Sequence, residues 1–251
     1  MTYAGEKKSG NAFPWLVLVF GLGAMAVLLA LGTWQVQRLH WKEGLLATIE
    51  QRTHQPPESL ARIEALFAEK AEVDYWPVTV SGEFLHDRES YFFATHRGMS
   101  GYYVYTPLQL QDGREILINR GFVPYDLKDP ALRAKGQVTG TVTLTGLARN
   151  PVFEKPSSLV PDNEPGKNLY YWKDWSSMAS KASVDRERVL PFFIDADATA
   201  NPGGLPAGGV TIIDLTNNHL QYAVTWYGLA AALAGVLGVY LWRSRNAGKT
   251  A

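Results

Sequence analysis

One histidine stands where ionisable chemistry is least expected. In Asn217-Asn-His-Leu-Gln-Tyr-Ala-Val-Thr-Trp-Tyr227, His219 lies in a stretch without a single Asp, Glu, Lys or Arg, running from Leu215 to Trp242. An ionisable side chain at the mouth of an apolar segment is costly, so a functional reading is the default there. At helical spacing, His219, Tyr222, Ala223, Trp226 and Ala230 share one face. Small residues at 223 and 230 let a flat ring or a neighbouring helix come close. Imidazole is a common ligand of haem iron, and aromatic rings can flank the macrocycle. The alternative is an interfacial histidine whose nitrogens bond to water or to a loop, and the residues alone leave both readings open.

Other chemistries have little support. The chain has no cysteine, which removes disulfides, iron–sulfur clusters, thiolate metal sites and cysteine nucleophiles. There is no G-x-S-x-G elbow and no H-E-x-x-H. Gly248-Lys249-Thr250 has Arg243 where a phosphate loop places its first glycine, and Gly21 and Gly23 are followed by Ala26 rather than a third glycine. His86 and Glu89 have a metal-like spacing, but in a strand-to-turn context they are not expected to share a face, and His86 reads as a turn residue. His54 and His96 read as isolated loop histidines. The sequence therefore argues against an enzyme and against any metal site beyond a haem iron.

Two apolar segments must position His219. Phe13 to Leu31 also lacks charged residues, and both stretches reach the roughly 20 residues a bilayer requires. Aromatics sit at their edges, Phe13 and Trp15 on the first and Tyr222, Trp226, Tyr227, Tyr240 and Trp242 on the second. A cleaved signal peptide is the alternative for the first, with Lys7 and Lys8 before it and Ala30-Leu31-Gly32 after. Its apolar run exceeds the usual ~7–15 residues of a signal core, which favours an uncleaved anchor. Arg243, Arg245 and Lys249 follow the second segment, while Asp197 to Leu220 has no Lys or Arg, so both ends are expected in the cytoplasm despite Arg38 and Lys42. The expected organisation is a tail at 1–12, a transmembrane helix at 13–32, an external domain at 33–218, a second transmembrane helix at 219–242 and a tail at 243–251.

The first helix is expected to continue from Thr33 to Glu50, with Trp34, Arg38, Trp41 and Leu45 on one stripe. An arginine between two indoles can stack on them and still reach a headgroup or ligand anion, although a simple interfacial anchor has the same look. Pro56-Pro57 ends this helix and Glu58 to Ala71 reads as another. Strands are expected over 76–85, 91–95, 102–110, 115–119, 138–147, 191–195 and 210–214, with a hairpin turn at Gln111-Asp-Gly-Arg114 and a short helix at 174–181. Asn119-Arg-Gly121 ends a strand where Gly121 supplies a turn or bulge, leaving Arg120 a candidate partner contact. The fold class is thus two membrane helices flanking a mainly-β domain, a small antiparallel barrel or sandwich with helical additions. Residues 34–218 carry 19 bases and 23 acids with no basic run, which argues against a nucleic-acid partner.

Several segments together resemble the Surfeit locus protein 1 family, assembly factors of haem–copper cytochrome c oxidase. They are Leu31-Gly-Thr-Trp-Gln-Val-Gln-Arg-Leu-His-Trp-Lys42, Tyr75-Trp-Pro-Val-Thr-Val-Ser-Gly-Glu-Phe-Leu-His-Asp-Arg-Glu89, Asn119-Arg-Gly-Phe-Val-Pro124, Asn168-Leu-Tyr-Tyr-Trp-Lys-Asp174, Phe193-Ile-Asp195 and His219 to Tyr227. The resemblance implies a chaperone of a bacterial inner membrane, with its main domain periplasmic. It implies that the protein helps deliver or insert haem a into oxidase subunit I, working with the haem a synthesis machinery. It carries the haem a iron ligand over to His219, with Trp226 and Tyr222 beside it. Arg38 and Lys42 become candidates for the haem propionates, and Trp34 and Trp41 join Arg120 as candidate partner contacts. The alternative is a structural membrane chaperone that holds an oxidase subunit intermediate without touching haem.

Overall fold

A computed structural model of the chain describes residues 14–183, 185–211 and 217–247. The tail at 1–12 and the end of the chain from 248 lie outside these residues. The chain divides into two compact units, a helical one of Met1–Ala47 with Asp214–Ala251 and a barrel one of Thr48–Ile213. The first helix continues beyond Thr33 to past Glu50, as expected. It runs unbroken as α1, Pro14–Thr53, with no proline after its first residue. The other long helix is α4, His219–Ala247.

Both helices are long and apolar enough to cross a membrane. They are apolar nearly all round, and large side chains such as Phe20, Leu22, Val224 and Val236 are left uncovered. A helix with that pattern suits a hydrocarbon surrounding rather than water.

The barrel unit begins with a two-residue strand, β1 (Glu58–Ser59), and α2 (Leu60–Lys70), where a single helix over 58–71 was expected. Ser59 explains the split, since its hydroxyl accepts from the Arg62 N–H as the cap of α2 and its backbone is extended. Six longer strands follow: β2 (Pro77–Phe84), β3 (Ser90–His96), β4 (Met99–Gln109), β5 (Glu115–Pro124), β6 (Thr141–Arg149) and β7 (Val189–Ala196). The turn at 111–114 joins β4 to β5 as expected, with Gly113 at positive φ and Leu110 N–H bonded to the Arg114 carbonyl at 2.8 Å. The short helix α3 (Trp175–Ala182) starts on Asp174, whose carboxylate accepts from Ser177 N–H at 3.1 Å. The strand expected over 210–214 falls largely outside the described residues, and Val210 and Thr211 carry none.

β2, β6, β7, β5 and β4 pair in that order and β4 returns to β2, closing a five-stranded barrel. It is not purely antiparallel as expected, because β5 and β7 run parallel. Val78, Val80, Leu108, Ile116, Ile118, Ala148, Phe192 and Ile194 fill the interior, and Ile63 and Leu66 of α2 pack into the same cluster. β5 is buried on both faces, since α3 lays Trp175, Met178, Ala179 and Ala182 over Tyr105, Leu117 and Phe193. That accounts for the consecutive apolar residues Ile116, Leu117 and Ile118, the pattern of a strand covered on two sides, before the buried polar pair Asn119 and Arg120.

A bulge interrupts β5. Tyr103 pairs with Phe122 and Tyr105 with Asn119, so one residue of β4 faces two of β5, Arg120 and Gly121. Gly121 has φ +120°, and a Cβ there would run into the carbonyl of Ala207, whose backbone pairs with Phe122. The bulge read from Asn119-Arg-Gly121 is present. Gly121→Ala should therefore destabilise the protein by about 1–3 kcal/mol, lowering its melting temperature in detergent. Gly166→Ala, which meets nothing within 4 Å, should leave that temperature unchanged within error.

Candidate functional site

Within the helical unit, α1 and α4 meet along a seam with alternating spacings of four and three. On α4 the covered positions are His219, Ala223, Trp226, Ala230, Leu233 and Leu237; on α1 they are Gly21, Met25, Leu28, Gly32 and Gln35. This repeat is the signature of a helix pair packed knobs into holes. Two glycines set the spacing: a Cβ on Gly21 would lie 2.7 Å from the Leu237 side chain, and one on Gly32 would lie 2.9 Å from the Tyr227 ring. Beside Gly32, the Thr33 hydroxyl meets the Tyr227 hydroxyl at 3.1 Å. The small residues Ala223 and Ala230 therefore accommodate a neighbouring helix.

His219 is the first residue of α4 and lies opposite Gln35. Its Nδ1 is 2.7 Å from Gln35 Oε1, and its backbone N–H reaches Asn217 Oδ1 at 3.5 Å. Gln35 is 9% exposed, a polar side chain in an otherwise apolar seam. His219 Nε2 has no hydrogen-bond partner among the described residues and is not buried. Among the described residues, the imidazole thus has one nitrogen bonded and the other without a partner.

The other candidates divide around this pair. Trp226 lies in the seam, whereas Tyr222 is 54% exposed and turned off it. Arg38 and Lys42 are partly covered and follow Gln35 along α1, about 4.5 Å and 10.5 Å further on at the ordinary helical rise. The Arg38 guanidinium stacks on Trp41 at 4.1 Å. Trp34 and Trp41 are 51% and 55% exposed, so these rings are free to meet lipid, ligand or partner.

The candidates in the barrel unit read differently. Arg120 is not a free contact residue: it is 1% exposed, and its side chain is committed inward. Its Nη2 donates to the Gly136 carbonyl, its Nη1 reaches Glu89 Oε1 at 3.5 Å, and its guanidinium lies 4.6 Å from the Phe84 ring. Glu89 is the centre of this cluster. Arg133 donates to both carboxylate oxygens, Tyr91 donates at 2.9 Å and Gln137 at 3.3 Å. His86 and Glu89 do come together, at 3.6 Å, because residues 86–88 form a 3-10 turn. Both imidazole nitrogens are nevertheless used, Nε2 donating to the Val138 carbonyl at 2.8 Å and Nδ1 lying between the Arg120 guanidinium at 3.3 Å and the Glu89 carboxylate. No group of three metal-ligating side chains occurs among the described residues. His96 lies in β3 against Tyr103 and Phe122 rather than in a loop, while His54 is exposed just past α1.

Residues 22–231 match the SURF1 family. Surfeit locus protein 1 of Rattus norvegicus is 38% identical, covering 96% of this chain and 78% of its own length. The Homo sapiens protein of the same name is 38% identical over 95% of this chain and 79% of its own. A SURF1-like protein of Monosiga brevicollis is 40% identical over 91% and 87%.

Burial alone would raise the Glu89 pKa, but the His86 ring, the hydrogen bonds and charge of Arg133 and the Tyr91 hydroxyl hold it at about 2. A carboxyl depressed in the folded state stabilises the fold above its unfolded value, and that contribution is lost as pH falls. Stability, read by tryptophan fluorescence of the full chain, should therefore drop as pH falls from about 4.5 towards 2. Glu89→Gln should cost about 3–5 kcal/mol at neutral pH by leaving two buried guanidinia without a counter-charge, and should flatten the acid limb of the profile.

Proposed function

The chain belongs to the SURF1 family, and from that premise we propose that it is a membrane-anchored assembly factor for haem–copper cytochrome c oxidase that binds haem a and hands it towards subunit I. The Nε2 of His219, which has no hydrogen-bond partner among the described residues, carries this reading. A ligand for haem iron needs an accessible, unprotonated imidazole nitrogen, and one whose other nitrogen is held by a fixed acceptor is well prepared for it.

The residues present fit such a cargo. His219 supplies the ligand at the junction where α1 passes from its uncharged segment to Arg38. Tyr222 and Trp34 offer exposed aromatic surface on the two helices. Arg38, steadied on Trp41, and Lys42 follow on the charged side, where propionates would lie. In this reading α1 and α4 span the inner membrane with both termini cytoplasmic, and the barrel is periplasmic. Their uncovered apolar surfaces support the spanning assignment. The protein acts as a chaperone rather than a catalyst, and the haem a synthesis machinery and subunit I are its partners on either side of the transfer.

The test is the absorbance of the full chain purified in detergent after production together with haem a synthesis. Wild type should carry a haem band, and His219→Ala should lower its intensity by more than about tenfold, a loss of more than ~1.4 kcal/mol of binding. An unchanged band in His219→Ala removes the ligand assignment. A wild type that never shows a band favours the alternative, a chaperone that holds an oxidase intermediate without haem. Replacing Arg38 and Lys42 together by Gln should weaken retention only a few-fold, since half-exposed charge pairs contribute about 0.2–1 kcal/mol each; unchanged occupancy removes the propionate assignment.

A further inference from the structure

We infer that Gln35 is the positioning residue of His219, fixing its ring in the tautomer that presents Nε2 as a lone pair. The inference rests on the haem-binding reading and deepens it. An amide oxygen can only accept, so the 2.7 Å contact of Gln35 Oε1 with Nδ1 puts the imidazole proton on Nδ1. An imidazole protonated there has its free lone pair on Nε2. That is the nitrogen without a partner among the described residues.

The position of Gln35 argues that the bond is more than a packing contact. Its neighbours along the α1 side of the seam are Gly21, Met25, Leu28 and Gly32. A leucine at 35 would continue that apolar row, whereas a buried amide costs free energy unless it is bonded. The bond also sets the ring plane: Gln35 is anchored mid-helix, while His219 is the first residue of its own helix. Without the acceptor, the imidazole is free to turn about its side-chain torsions and to move its proton to Nε2.

The experiment compares the full-length wild type with Gln35→Leu and Gln35→Glu in detergent. Leucine has a similar volume and suits the seam, so the helix pair is retained. Glutamate keeps the acceptor oxygen. In the haem-free protein, the nitrogen-15 shifts of the His219 ring, assigned by their loss in His219→Ala, should show Nδ1 protonated in the wild type and in Gln35→Glu. In Gln35→Leu they should shift towards the Nε2-protonated form. For the haem-loaded protein, Gln35→Leu should lose about 10–100-fold in haem affinity, the usual cost of removing a partner that orients a metal ligand. Gln35→Glu should keep the haem and lower its reduction potential, since a charged acceptor makes the imidazole a stronger donor. A wild-type ring protonated on Nε2, or a Gln35→Leu protein with wild-type haem affinity, overturns the inference while leaving His219 as the ligand. A His219→Ala protein that retains its haem band overturns the haem reading and this inference with it, and the ring shifts of the haem-free protein tell the two failures apart.

Discussion

The close approach of α1 and α4 is the constraint on which the candidate site depends. Two helices come this near only where side chains are small, and Gly21 and Gly32 on one side and Ala223 and Ala230 on the other supply that. Without them Gln35 and His219, 184 residues apart in sequence, would not meet at 2.7 Å. The tight seam has a second effect. A Cβ at Gly32 would already lie 2.9 Å from the Tyr227 ring, so at that level the seam is filled by the two helices themselves.

The barrel unit solves a different problem, how to keep a buried charge. Glu89, Arg120 and Arg133 are all nearly inaccessible, and two guanidinia surround one carboxylate. Desolvating three charges consumes much of their mutual attraction, so the cluster is weak support for stability by itself. It does define geometry. Glu89 precedes β3, Arg120 sits in the bulge of β5, and Arg133 and Gln137 come from the segment between β5 and β6, so three stretches of chain meet at one carboxylate. Burial and the Arg133 charge lower the Arg120 pKa to about 10 while Glu89 opposes them, so its charge persists at neutral pH.

Much of this was legible because the signals are local. The two uncharged stretches, the proline pair after α1, the hairpin turn at Gln111–Arg114, the helix start at Asp174 and the bulge at Gly121 each depend on a few adjacent residues. Most of the covered face of α4 was legible for the same reason, His219, Ala223, Trp226 and Ala230 following a period of 3.5 to 3.6 residues, whereas Tyr222, expected on that face, is turned off it. What escaped depends on contacts between distant segments. The parallel pairing of β5 with β7, and so the closure of the barrel, has no marker in either strand. Arg120 looks like a surface arginine until the loop carrying Arg133 and Gly136 folds over it. Gln35 reads as one more residue of a helix, because its partner lies on the other long helix.

The pairing of β5 with β7 also orders events in time. Residues 115–119 of β5 must wait for residues 189–195 of β7 before the sheet can close. Every strand of the barrel except β7 can therefore leave the ribosome, and α1 with them, while the domain is still an open sheet with an unpaired edge. Contacts of such long sequence separation place a barrel among the slower-folding topologies. During that interval the exposed edges of β5 and β6 are the part of the molecule most open to wrong pairing. The last strand arrives only 22 residues before α4 starts, so completion of the barrel and emergence of the helix that carries His219 fall close together during synthesis.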